Sequence, residues 1–395
     1  MRISTLGFQS TASQQMQTLE AAIARTQQQL STGKKLQTAA DNPVGMAQVN
    51  ELNAQLSASQ QYVANGNTAT ANLQLEAQSL TGATNTLQSA RDLAVEANNS
   101  ALTATQRQDI ATQLQQQLQD LIATANQKNA AGDYLFAGNA AQTLPFAQSA
   151  AGVAYSGSGQ VNQIQISSNQ RISAGDTGAS VFMNIPAGNG TFTTAAAAAN
   201  TGSASITPGT VTNVAAWVPD TYQISFSSPA QYQVTNSTGA VVASGSYTDG
   251  DTVSFNGVQV TLNGTPAAGD QFTVAPAGTA SVFSTLSGLI KTLSTANLSN
   301  AQLTTQINGA LQQIDGALGN FNSVQASVGA RLNAITASQT SAQSLQTTLT
   351  ANVSSLTDVD YTQATTQLSS EELALQAAQQ SYASIASLSL FNYIK

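Results

Sequence analysis

Nineteen Asp and Glu, eleven Lys and Arg and nine Tyr are the side chains of this 395-residue chain that could do chemistry, because it contains neither His nor Cys. A Ser-His-Asp triad, a Cys-His pair, an HExxH zinc site and an imidazole proton shuttle are all excluded. So are disulfides and thiolate metal sites. Carboxylates, Lys and Tyr support catalysis in a minority of enzymes. His carries acid and base work so commonly, however, that the composition points to a protein that is not an enzyme, with no catalytic residue, cofactor or metal.

The basic residues form no cluster beyond Lys34-Lys35, so the electrostatic footprint of a nucleic-acid partner is missing, and that pair reads as a solvated loop after a helix. Charged residues make up 8% of the chain, against a usual value of about a quarter. Gln, Ser, Thr, Asn and Ala take their place, and the net charge of -8 comes from scattered acids. A surface of this kind offers little charge repulsion between like copies. No stretch approaches the ~18–20 apolar residues of a membrane span. Met1-Arg2-Ile3-Ser4 lacks the apolar core of a secretory signal, which suggests either a cytoplasmic protein or export by a route that cleaves no signal.

With chemistry so limited, apolar spacing carries the information. Met16, Leu19, Ile23 and Leu30 fall on one helical stripe, and Leu368, Leu375, Tyr382 and Ile385 on another, continued by Leu388, Leu390 and Phe391. These eleven residues are the candidate assembly interface. Gly33 is the expected stop of the first helix, and Asn42-Pro43 the cap and first position of the next. From Pro43 to Asn98, Val49, Leu52, Leu56 and Val63 keep heptad spacing, and Leu73, Leu80 and Leu87 follow at sevens. Such a helix is roughly 80 Å long. Ile307, Ile314, Phe321, Val328, Ile335, Ala342, Leu349 and Leu356 also stand at steps of seven, defining a second helix of about 75 Å that needs an equally long partner. A shorter helix over 105–127 carries Ile110, Leu114, Leu118, Leu121 and Ile122. Thr357, Asp358 and Asp360 mark a break before the last helix, with Thr357 as its cap.

Between the helices the period changes. Residues 133–138, 153–155 and 163–166 alternate as short strands. From 180 to 278, β-rich runs at 222–226, 232–235, 241–247, 253–262 and 271–274 are separated by turn residues such as Asp249-Gly250 and Asn256-Gly257, which predicts a small antiparallel β domain. Its aromatics, Tyr222, Phe226, Tyr232, Phe255 and Phe272, read as core rather than a ligand box. Residues 195–199 read as low-complexity surface or loosely ordered chain.

The expected fold is mainly α with an inserted β domain, a long antiparallel helical rod with coiled-coil terminal helices. Residues 1–42 and 357–395 would form the terminal assembly domain. Residues 43–180 and 280–356 would form the helical rod with a β-hairpin segment, and 181–279 the outer β domain. Burying a large apolar side chain is worth roughly 1.5–3 kcal/mol, and pairing the two terminal stripes leaves much of that unrealised. The ends are therefore expected to be mobile in a monomer and to order when copies stack.

Several segments resemble the flagellin superfamily. Gln29-Leu30-Ser31-Thr32-Gly33-Lys34-Lys35-Leu36 followed by Ala40-Asp41-Asn42-Pro43 is similar to its LSTGKR..ADDP segment, and Val328-Gly329-Ala330-Arg331-Leu332-Asn333 to its GARLN helix motif. Leu388-Ser389-Leu390-Phe391-Asn392-Tyr393-Ile394 resembles the LSLFDYL terminus of the branch that joins hook to filament, and Asp133-Tyr134-Leu135-Phe136-Ala137-Gly138 is typical of the same branch. Residues 264–272 are similar to a β motif in outer domains of hook-associated proteins. The resemblance implies an extracellular structural subunit of the flagellum, exported unfolded through the type III apparatus without signal cleavage. It also implies a homo-oligomeric ring at the hook-filament junction, touching hook-associated protein 1 below and filament flagellin above, with an export chaperone on the C-terminal helix. Filament flagellin itself is the alternative, and a secreted coiled-coil adhesin a more distant one.

Overall fold

The computed structural model describes the backbone of residues 5–296 and 298–391 and the side chains of 9–296 and 298–384. Its helices are α1 (Thr5–Thr32), α2 (Pro43–Ala97), α3 (Ala104–Ala125), α4 (Val282–Ser294), α5 (Asn300–Thr357) and α6 (Tyr361–Phe391). Their ends follow from local polar chemistry. Gly33, at φ +71°, takes the left-handed conformation that closes α1. Asn42 accepts the Gly45 amide at 3.0 Å and Pro43 opens α2. Reciprocal capping boxes open α3 (Thr103 with Gln106) and α4 (Ser281 with Ser284). The cap of α6 differs from the expectation. It is Asp360, which accepts the Thr362 and Gln363 amides at 2.9 and 3.2 Å. Thr357 instead ends α5, its hydroxyl turned back to the Val353 carbonyl at 2.9 Å.

The chain divides into two compact units, Met1–Val63 with Gln339–Lys395 and Ala64–Ser338. In the first, α1 packs on α6, and the start of α2 runs antiparallel to the end of α5. There Ser59 Oγ donates to the Ala342 carbonyl at 3.1 Å and the Gln339 amide to the Val63 carbonyl at 3.4 Å. Val49 and Leu349 are large apolar residues buried there, and Ser59 is buried beside them.

In the second unit the same two helices show their sevens at full strength. Leu73, Leu80 and Leu87 from α2 and Ile307, Ile314, Phe321, Val328 and Ile335 from α5 are all at most 1% exposed. Leu80, Leu87, Ile307, Ile314 and Phe321 are joined by α3, α4 and a π-helical turn, Ala179–Met183, that delivers Phe182 to the centre, while Leu73, Val328 and Ile335 pack with Ile166 and Ile172. Phe182 contacts Phe136, Phe146 and Phe321 edge-on at centroid distances of 5.1, 5.5 and 5.4 Å. Space there is so limited that a Cβ on Gly178 would stand 2.5 Å from the Phe146 ring. Residues 133–138, expected as a strand, form turns instead, with a single bridge from Lys128 to Tyr134. The apolar alternation there reflects Phe136 and Ala137 turning inward while Gly138, at φ +61°, lies against the Ser158 and Gln160 carbonyls.

Two short antiparallel pairs follow α3. They are β1 (Phe146–Ser149) with β2 (Gly152–Tyr155), and β3 (Gln163–Gln165) with β4 (Arg171–Ser173). The inserted β domain contains β5 (Ile185–Pro186), β6 (Phe192–Ala196), β7 (Ser205–Ile206), β8 (Thr210–Val211), β9 (Tyr222–Ser228), β10 (Gln231–Thr235), β11 (Val241–Ser246), β12 (Thr252–Phe255), β13 (Val258–Asn263), β14 (Gln271–Pro276) and β15 (Thr279–Ala280). One antiparallel sheet has the order β11-β10-β9-β14-β6 and a second the order β12-β13-β7, with β8 also on β13. Their inner faces share one core. Asn256-Gly257, both at positive φ, make the two-residue hairpin between β12 and β13. Tyr222, Phe226, Phe255 and Phe272 are buried in the core and Tyr232 packs half-buried against it. The Ala195-Ala196 stretch is not loose: it finishes β6, paired to Thr273 and Phe272 of β14, because Phe192 is anchored in the core. The buried Asp270 carboxylate accepts the Thr201, Gly202 and Ala267 amides at 2.9, 3.1 and 2.9 Å and so ties two loops together.

Two substitutions test these centres separately, since the single Trp217 lies in the β domain, 5.8 Å from Phe192 and 5.7 Å from Tyr222. Phe182→Ala should cost the helical core about 3–5 kcal/mol, read by far-ultraviolet circular dichroism in urea; a loss under about 1 kcal/mol contradicts its central place. Asp270→Ala strands three partly buried donors and should lower the Trp217 fluorescence transition by about 2–4 kcal/mol. An unshifted Trp217 transition would show that the loops hold without it.

Candidate assembly interface

The terminal helices are built on one repeat. On α1, residues 12, 16, 19, 23, 26 and 30 lie at alternating steps of four and three, and on α6 residues 364, 368, 371, 375, 378 and 382 do the same. All twelve are buried or half-buried, while nearly every position between them is exposed. Lys34 bridges Asp358, and eight residues earlier Thr26 meets Glu371, so the two helices run antiparallel. Met16, Leu19, Ile23, Leu30, Leu368, Leu375 and Tyr382 therefore face one seam, as their spacing predicts. Ile385, Leu388, Leu390 and Phe391 lie on the last turns of α6, and their side chains are outside the described residues.

Burial along the seam is uneven. Among the described residues of the seam only Thr26 and Ala364 are buried; each large apolar member there is half-buried within this pair. Leu373, 68% exposed, stands apart from the seam altogether. Thr26 Oγ1 donates to Glu371 Oε2 at 2.9 Å, and Glu371 Oε1 accepts from Gln367 at 2.9 Å. Sequence reasoning missed Thr26 and Glu371 because it counted only large apolar residues. The signal was available in the step pattern, which both positions continue.

An elbow joins the seam to the longer helices. The Lys35 amide donates to the Thr357 carbonyl at 2.7 Å, and the Val359 amide to the Gly33 carbonyl at 3.0 Å. Lys35 Nζ reaches the Ser355 carbonyl at 2.7 Å, and Lys34 Nζ bonds Asp358 and Thr357. The two lysines are exposed, as a solvated loop would be, yet both fasten the elbow. The Lys34 ammonium, with the Thr357 hydroxyl, holds the Asp358 carboxyl below its ordinary range. Asp41 is lowered by the Thr38 amide and hydroxyl, then the Gln37 amide and Arg25. Glycine is favoured at 33 by its positive φ, and a Cβ there would lie a tight 3.2 Å from the Tyr361 hydroxyl. This is a site that packs helix on helix. Among the described residues no three His, Cys, Asp or Glu side chains gather to hold a metal, and no helix is long and apolar enough to cross a membrane.

Residues 3–141 match the bacterial flagellin N-terminal helical region, 311–394 the bacterial flagellin C-terminal helical region, and 195–276 the D2-like domain of flagellar hook-associated protein 1. The flagellar hook-associated protein 3 of Salmonella typhimurium LT2 is 31% identical over 185 residues, 47% of this chain and 58% of that protein. The chain thus spans about half the length of the curated relatives it matches. Among solved structures, the flagellar hook-associated protein 3 of Legionella pneumophila superposes with a TM-score of 0.74 at 30% identity, covering 78% of this chain and 98% of that one. FlgL of Xanthomonas campestris gives 0.72 at 29% identity, covering 77% and 99%. With paired terminal helices of the flagellin type at both ends and a hook-associated β domain between them, the chain belongs to the flagellar hook-associated protein 3 family of flagellin-like proteins.

Proposed function

We propose that this chain is a structural subunit of the bacterial flagellum that forms the junction between hook and filament, and that it has no catalytic role. The observation that carries the reading is the α1/α6 seam. Two helices from opposite ends of the chain share one heptad pattern, and their large apolar residues stay half-buried in the single subunit. That is the arrangement expected of helices whose remaining apolar surface is covered by neighbours. The likeness over nearly the whole length of the Legionella relative supports it.

In this reading residues 1–42 and 357–395 are the assembly domain, 43–180 and 280–356 the inner helical domain, and 181–279 the outer β domain. Met16, Leu19, Ile23, Leu30, Leu368, Leu375, Tyr382, Ile385, Leu388, Leu390 and Phe391 make the assembly contacts. The partners are further copies of the chain in a ring, hook-associated protein 1 on the hook side and flagellin on the filament side. A chaperone covers the C-terminal helix before type III export to the cell exterior.

Removing residues 388–395 should leave the helical and Trp217 unfolding transitions in place while abolishing incorporation into flagella. Cells carrying the truncated protein should shed intact flagellin into the medium. Antibody against the chain should mark a band at the end of the hook in micrographs of wild-type cells. Labelling along the whole filament would favour the flagellin reading, and normal swimming with the truncated protein would remove the role assigned to the tail.

A further inference from the structure

Glu76 of α2 is 1% exposed, and among the described residues neither of its carboxyl oxygens makes a hydrogen bond of good geometry, although the Asp176 amide lies close enough to favour its ionised form. The charged groups that face it are Asp176, in the segment between β4 and the π-helical turn, and Arg331 of α5. Arg331 is already committed. Its guanidinium donates to the Ser173 carbonyl at 3.3 Å, to the Gly175 carbonyl at 3.1 Å and to the Asp176 carboxylate. The segment lies close on Glu76, since a Cβ built on Gly175 would be 3.6 Å from Glu76 Oε2. One cation therefore stands against two carboxyl groups, and its hydrogen bonds go to only one of them. An ionised Glu76 would be a buried charge with two unmet acceptors beside a second negative charge. A protonated Glu76 carries its own donor, and the Asp176 carboxylate beside it is the acceptor that donor needs.

We propose that Glu76 is the proton-bearing half of a carboxyl–carboxylate pair with Asp176, and that this pair, with Arg331, is a proton-dependent clasp fastening residues 173–176 to helices α2 and α5. The proton resides on Glu76 and is donated to Asp176, whose charge Arg331 balances. No group is transferred; the clasp closes with the proton and opens without it. The clasped segment leads directly into the turn that carries Phe182 to the aromatic centre, so its release loosens the piece of chain that places that ring.

Burial first, and then the Asp176 charge, push the Glu76 carboxyl up to about 8. An unfolded Glu titrates near 4.5. Between those values the unfolded chain has lost a proton that the folded chain keeps, so stability falls as pH rises through this window and levels off above it. Below it both states are protonated and the dependence vanishes.

The test compares the full chain with its Glu76→Gln variant at about pH 5, 7 and 9, reading thermal midpoints and the amide exchange of residues 171–178 corrected for intrinsic rate. The wild type should lose stability from pH 5 to 9, with corrected exchange in the segment on the order of tenfold faster at pH 9. Glu76→Gln, a neutral isostere of the protonated acid, should remove that slope and stay protected at pH 9. Equal destabilisation of Glu76→Gln at every pH, or its failure to fold, would mean that the native group is a carboxylate paired to Arg331 and overturn the proposal. So would a wild type whose slope matches that of the variant. Calcium that restores wild-type protection at pH 9 but has no effect on Glu76→Gln would assign the pair to a cation instead of a proton.

Discussion

The antiparallel register of α2 against α5 is the constraint on which the rest of the second unit depends. Thr81 meets Gln325 at 3.3 Å, Arg91 meets Asp315 at 2.6 Å and Asn98 meets Asn308 at 3.1 Å. In each pair the residue numbers sum to the same value, so no slip intervenes over this stretch. These partners are 210 to 244 residues apart in sequence. The entropy of closing so long a loop grows only slowly with its length, which is why an entire β domain can be inserted between the two helices. Once the register is set, the sevens on both helices face inward together, and α3, α4 and Phe182 have a surface to complete.

Charge is used sparingly, and in the β domain it lies between the strands. Residues 181–279 hold four acids, Asp220, Asp249, Asp251 and Asp270, and no basic residue. Each acid accepts a backbone amide. Asp220 takes the Thr221 amide, Asp249 that of Gly264, Asp251 that of Thr248, and Asp270 those of Thr201, Gly202 and Ala267. The same holds at the helix junctions, where Asp41 binds the Gln37 and Thr38 amides and Asp360 caps α6.

What was legible in the sequence was what large apolar residues and turn chemistry encode. Leu73, Leu80, Leu87, Ile307, Ile314 and Phe321 announce their helices by period, and Asn256-Gly257 its hairpin by the conformations those residues tolerate. Residues that break the pattern while obeying its geometry were less visible. Thr26 and Glu371 sit on the repeat but are polar, and Glu76 reads as an ordinary surface acid until the fold places Asp176 and Arg331 beside it. At 133–138 the alternation was real, but a strand also needs a neighbour to bond, and no periodicity reports whether one exists. The cap of α6 went to Asp360 because the backbone turns after Thr357, a tertiary choice set by the Lys34 and Lys35 contacts at the elbow.

The two units use one repeat to different ends. In the second, the large residues at the sevens are fully buried within the chain; at the α1/α6 seam residues of the same size are half-buried. Each Å² of apolar surface removed from water is worth roughly 25 cal/mol, so a seam closed within one subunit would leave little to gain on association. The proposed junction role requires the opposite, a subunit that withholds part of its stabilisation until a neighbour arrives. A seam left open in this way risks sliding, because leucine-like stripes tolerate several registers. The Thr26–Glu371 hydrogen bond counters that risk: displacing either helix by one turn would break it and set both polar groups against apolar side chains, leaving Thr26 only its bond to the Ala22 carbonyl and Glu371 only its bond from Gln367. The pair lowers the attainable stability of the seam and, in exchange, leaves a single alignment in which the half-buried residues of both helices are presented together.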